Sequence, residues 1–155
     1  MPQITLNFTT NNNPTKGYIV KYREVGTSQY TIISPNPTSS PIIITGLGSG
    51  LSYEGTIQAD CGNGQYGTVS TFNATVAATF NVSRDPSSAT AACALTTRNY
   101  TFYAGVAVLQ VGTQLYSNIT LTTAYTSPGY YSDGTWVYQV NASGIVLSKA
   151  TCSLP

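Results

Sequence analysis

The stretch GYIVKYREV, residues 17–25, decides the fold class. Tyr18, Val20 and Tyr22 alternate with Ile19, Lys21 and Arg23, so one side is apolar and aromatic while the other carries charge. That period of two belongs to a half-buried strand, not to a helix. The same rhythm runs outward in both directions. Upstream, Ile4, Leu6 and Phe8 alternate with Thr5 and Asn7. Downstream, QYTIIS is a shorter strand, and PIIITGL is a β-branched run that starts after proline, stops at glycine and turns Ile42, Ile44 and Leu47 inward. YEGTIQADC then places Tyr53, Gly55, Ile57, Ala59 and Cys61 on one face. A GNGQYG turn leads to TVSTFNATV. Short strands punctuated by Gly, Pro and Asn predict an all-β chain whose first part is a β-sandwich.

Residues 77–92, AATFNVSRDPSSATAA, are small and polar and read as a connector, with room for one strand at Thr79–Val82. A small antiparallel β-domain over 93–155 follows. YTFYAGVAVLQVG and TQLYSNITL are its first strand candidates, broken by glycine. GYYSDGTWVYQV is its clearest signal, because Asp133-Gly134 between aromatic runs predicts a tight type I′ hairpin. A turn at Ser143-Gly144 adds a last strand, so the chain should end in a three-stranded meander. The organisation expected is therefore 1–76, a connector at 77–92, and 93–155.

Composition narrows the chemistry. Charged residues make up 7% of the 155, with a net charge of +1, against about 25% in a typical soluble protein. The six basic residues, Lys16, Lys21, Arg23, Arg84, Arg98 and Lys149, are scattered, which leaves no cationic footprint for nucleic acid. No apolar run approaches the roughly 20 residues that span a bilayer, so no membrane insertion is expected. The first residues lack a basic segment followed by an apolar one, so no export signal is expected either.

Histidine, the commonest general base, is missing. The five carboxylates are Glu24, Glu54, Asp60, Asp85 and Asp133. Glu54 and Asp60 would lie about 20 Å apart along one strand, too far for either glycosidase geometry. GLGSG at Gly46–Gly50 has no helix after it and reads as turn chemistry, not a phosphate loop. The expectation is a non-enzyme with no cofactor and no metal. Six N-x-S/T triplets start at Asn7, Asn73, Asn81, Asn99, Asn118 and Asn141, and a chain this rich in Ser and Thr produces such triplets by composition.

Binding candidates cluster at the Asp-Gly hairpin: Tyr130, Tyr131, Asp133, Trp136 and Tyr138. Rings beside Asn and Asp suit sugars, while the competing reading makes these rings the core of a small domain. Lys21 and Arg23 form a second candidate surface, equally explained as a solvated strand face. Cys93 and Cys152 bracket the C-terminal half. A disulfide between them would close a loop of about 60 residues and contribute roughly 4 kcal/mol. A reducing cytosol favours the alternative, three small buried thiols including Cys61.

Residues 3–76 resemble a fibronectin type III domain. The resemblance rests on GYIVKYR as the third strand of that fold, ITGL at the end of its fifth, and Tyr53 placed after Leu47 to form a tyrosine corner. Tyr22, Leu47 and Tyr53 would then be structural residues, and Phe8 stands where the family carries a buried tryptophan. The leading strand A is missing or truncated, which implies an open sheet edge for a neighbouring chain or the C-terminal unit to cover. VGTQLYSNITLTTAYTSPGYYSDGTWVYQVNASGIVLSKATC resembles small C-terminal β-modules of phage structural proteins and Bacteroidetes surface proteins.

Modules of the first kind usually belong to exported proteins. Tailed bacteriophages reconcile that habit with the lack of an export signal, since their virion proteins assemble in the host cytoplasm and leave by lysis. The resemblance thus implies a virion surface protein, a decoration of the head, partnered by the major capsid protein, other virion proteins or itself as a homo-oligomer. A tail or baseplate attachment protein contacting host-surface or mucus glycans is the alternative within that biology. A secreted carbohydrate-binding accessory module is the alternative outside it.

Overall fold

The computed structural model describes residues 2–9 and 14–153. The chain ends and residues 10–13 lie outside that description. The protein is almost all β, with antiparallel sheets of sandwich type. It divides into two compact units, residues 1–76 and 77–155.

The first unit contains β1 (Gln3–Leu6), β2 (Tyr18–Glu24), β3 (Thr31–Ile32), β4 (Ile42–Thr45), β5 (Ser52–Gly62), β6 (Gln65–Tyr66) and β7 (Ser70–Thr75). β1 and β4 form a two-stranded sheet, with Ile4 opposite Ile44. The other sheet runs β3-β2-β5, and the far edge of β5 is shared by β7 along Ser52–Ile57 and by β6 beyond it. The alternating apolar positions meet between the sheets: Ile4, Tyr18, Val20, Ile42, Ile44, Leu47, Tyr53 and Val76 are buried together. Phe8 is half-buried and meets Tyr18 edge-on at 4.7 Å between ring centroids. Tyr22 likewise meets the edge of Tyr53. The inward face of β5 loses its cover toward its end, so Tyr53 is buried while Cys61 is exposed. Gly55 is required in mid-strand because a Cβ there would strike the Lys21 carbonyl oxygen and the Phe72 ring.

The Tyr53 hydroxyl accepts the Gly48 N–H at 2.8 Å, tying β5 back to the turn before it. Tyr53→Phe would leave that partly buried amide without its partner. We expect a loss of about 1–2 kcal/mol, read from the denaturant midpoint of the first unit.

The second unit contains β8 (Ala78–Asp85), α1 (Ala89–Ala94), β9 (Tyr100–Ala104), β10 (Gly129–Ser132), β11 (Trp136–Val140) and β12 (Val146–Thr151). Its five strands follow the order β12-β11-β10-β8-β9. One face carries Val82, Phe102, Tyr131, Tyr138, Val140 and Val146, closed over by Leu109 and Leu115 from the long 105–125 segment. On the other face α1 packs against β8, β10 and β11. There the buried Ser83 hydroxyl donates to the Ala92 carbonyl at 2.8 Å.

Three expectations need correction. Residues 77–92 are not a connector: they hold β8, an interior strand of the sheet, and most of α1. Being covered on both faces, β8 needs small residues where half-buried strands show large ones. The strand candidates after Ala104 do not form. The backbone from 105 to 125 is irregular, pinned by isolated bridges such as Tyr103 to Tyr116. The terminal meander β10-β11-β12 is present, but its first turn is not type I′. Positive φ is confined there to Gly134, at +93°, and the Asp133 carboxylate organises the rest by accepting the Thr135 and Trp136 amides at 2.8 and 2.7 Å.

Candidate functional site

The aromatic hairpin separates into two faces. Tyr131 and Tyr138 lie opposite each other across β10 and β11, and both belong to the core, at 0% and 3% exposure. Trp136 shares their side of β11 but sits at its rim, 36% exposed. Tyr130 is half-buried on the opposite face. These rings therefore do not form a joint ligand platform, because the side on which three of them converge is the one that turns inward. Asp133 is committed as well: besides capping the turn, it accepts the Tyr138 hydroxyl at 3.0 Å.

What remains accessible is Trp136 with Lys149. The ammonium stands 4.3 Å from the indole centre and donates to the Leu109 carbonyl at 3.0 Å. A cation over one ring face stabilises the pair, and about a third of Trp136 stays exposed, at 36%. The second candidate surface is partly spoken for too. Arg23 pairs with Glu54 at 2.6 Å and lies over Tyr30, 4.5 Å from its ring centre. Lys21 stands beside it, between Ile32 and Thr56 in neighbouring strands.

Asp60 and Asp85 have local tasks. Asp60 accepts the Gly62 amide at 2.9 Å. Asp85 accepts the Ser87 and Ser88 amides at 2.9 and 2.7 Å, and those bonds hold its carboxyl below the usual range. The Gly46–Gly50 stretch is a turn, with positive φ at Gly46 and Gly50 and the Gly50 amide bonded to the Val76 carbonyl.

Burial pushes the Tyr131 and Tyr138 hydroxyls well above the ordinary phenol range. Bonding to Tyr125 adds to the shift at Tyr131, and bonding to Asp133 adds to it at Tyr138. A folded-state pKa raised above the unfolded value means stability that is complete below about pH 10 and is lost as pH rises further. We expect near-ultraviolet tyrosinate absorbance to lag for two tyrosines until the second unit unfolds. Replacing both by phenylalanine should abolish that lag.

Cys93 and Cys152 are joined in a disulfide, with their Cα atoms 5.5 Å apart, and Cys61 is free and exposed. The reading of three buried thiols is therefore wrong. Closure came from a six-residue helix that brings Cys93 over the sheet, beside the end of β12.

One surface went unread in the sequence. Val106, Val108 and Val111 stand 39%, 59% and 65% exposed along the irregular segment and line an open, shallow depression with Gln110 and Thr113. Their alternation resembles a strand, but Gly105 and Gly112 interrupt it, and only Leu109 turns inward. Comparison with family models, with curated proteins and with solved structures finds no match for this chain.

Proposed function

We propose that this chain is a non-enzymatic structural protein of a bacteriophage particle, a head decoration protein that displays an immunoglobulin-like unit on the capsid surface. One unit docks on the shell and the other projects from it. The observation that carries this reading is that four of the five carboxylates are spent on structure. Glu54 is held by Arg23, Asp60 and Asp85 cap turns, and Asp133 serves a hairpin and a buried phenol. Chemistry at such groups would cost the fold its caps. A sparsely charged surface rich in Thr, Ser and Asn suits contact with a protein shell. In this reading the protein assembles in the host cytoplasm, and the Cys93–Cys152 bond closes after lysis exposes the particle to oxidant.

The disulfide itself favours a second reading, a secreted carbohydrate-binding accessory module, because such bonds persist in oxidising compartments. Trp136 would be its contact residue.

Quantitative mass spectrometry of density-purified particles from the source culture tests both. Co-purification at a fixed, high ratio to the major shell protein is the expected result. A few copies per particle would shift the assignment to a tail or baseplate protein that contacts host glycans. Absence from particles, with soluble protein that binds purified glycan through Trp136, would replace the virion reading by the secreted module.

A further inference from the structure

We infer that the free edge of β1 pairs with the same edge of a second copy of this chain, antiparallel across a two-fold axis. Among the described residues β4 is the one strand that β1 pairs with. The outer edge of Gln3–Leu6 therefore presents main-chain donors and acceptors that a strand can take up.

The layer beneath that edge is incomplete toward the end of β1. Ile4, Ile42 and Ile44 are 6%, 4% and 3% exposed, whereas Leu6 and Phe8 remain half-buried. An added strand would bring apolar side chains alongside them. A two-stranded sheet is also marginal alone, and joining two copies makes one continuous sheet of four strands.

The edge lacks a charged guard. The first charged residue in the chain is Lys16, so no Lys or Glu projects from β1. The edges of the second unit are managed differently. β12 carries Lys149, and the outer backbone of β9 is taken by Tyr116, which exchanges two hydrogen bonds with Tyr103 at 2.9 and 2.8 Å.

A second copy fits because identical edges meet here without like-charge repulsion. Gln3 and Thr5 are exposed and uncharged, and with the two-fold axis at Thr5 that residue faces its own copy and can hydrogen-bond with it. A net charge of +1 adds little repulsion between whole chains. A ladder this short belongs to the weak class of interfaces, so association should need high protein concentration or a surface that aligns the copies. The inference is independent of the virion reading.

Sedimentation equilibrium of the full chain tests it, with Thr5→Lys, Thr5→Glu and their equimolar mixture. Wild type should self-associate. Each charged variant should do so at least about tenfold more weakly, and the mixture should regain wild-type association, because unlike charges then face each other. Thr5→Arg and Thr5→Asp serve as the pair if either of the first Thr5 variants does not fold by circular dichroism. A wild type that stays monomeric throughout would overturn the inference. So would charged variants that associate like wild type, or a mixture that fails to recover.

Discussion

Replacing Cys93 and Cys152 together by serine should lower the unfolding free energy of the second unit by about 4 kcal/mol. The bond spans 59 residues of sequence, and the chain-entropy account assigns roughly that value to a closed loop of about 60. Small units rest on margins of about 5–15 kcal/mol, so the loss takes a large share. The enclosed loop holds β9, β10, β11 and β12, and thus most of the sheet. Without the bond, α1 keeps only a short apolar contact and the Ser83 hydrogen bond, too little to hold a six-residue helix. Calorimetry with and without reductant checks this. A transition unmoved by reductant would show that sheet packing, not the covalent closure, sets the stability of this unit.

Phe102→Ala should cost the same unit about 3–5 kcal/mol. Phe102 is fully buried and touches three rings: Phe80 in a stacked arrangement at 5.8 Å, Tyr125 edge-on at 5.7 Å and Tyr131 edge-on at 5.8 Å. Removing the ring opens a cavity that Tyr125, Tyr131 and Leu115 are too constrained to fill, and each ring–ring contact goes with it. The denaturant midpoint should fall sharply with the slope unchanged. Phe102→Leu, which keeps most of the volume, should recover much of the loss. Equal costs for alanine and leucine would assign the effect to ring geometry, not to volume.

The strands β1, β2 and β4 of the first unit are legible because each is covered on one side only, so the two-residue alternation in residues 17–25 maps directly onto inside and outside. The second unit hid its plan where that condition fails. β8 is covered by the core on one face and by α1 on the other, so Val82 and Ser83, adjacent in sequence, are both buried. The helix is six residues long and built on alanine, which gives no apolar stripe to find. Its one local signal is Ser88, whose hydroxyl accepts the Ala91 amide as an N-cap. Conversely, Val106 and Val108 alternate after Gly105 without forming a strand. The Asp-Gly pair marks the hairpin at Asp133, and of the two readings open for its rings the core one holds for Tyr131 and Tyr138, while Trp136 sits at the rim. Alternation tells which rings share a side; it does not tell which side faces water.

The covalent tie between α1 and the end of β12 also has a mechanical meaning. A pull applied to the chain beyond Cys152 does not peel β12 from the sheet residue by residue. It passes through the sulfurs to Cys93, so the 59-residue span between them is removed from the load path. At about 3.4 Å per residue that shields roughly 200 Å of contour length from extension. A protein tethered by this end would yield only through β8 and the strands before it, and reductant would lengthen the tether without breaking it.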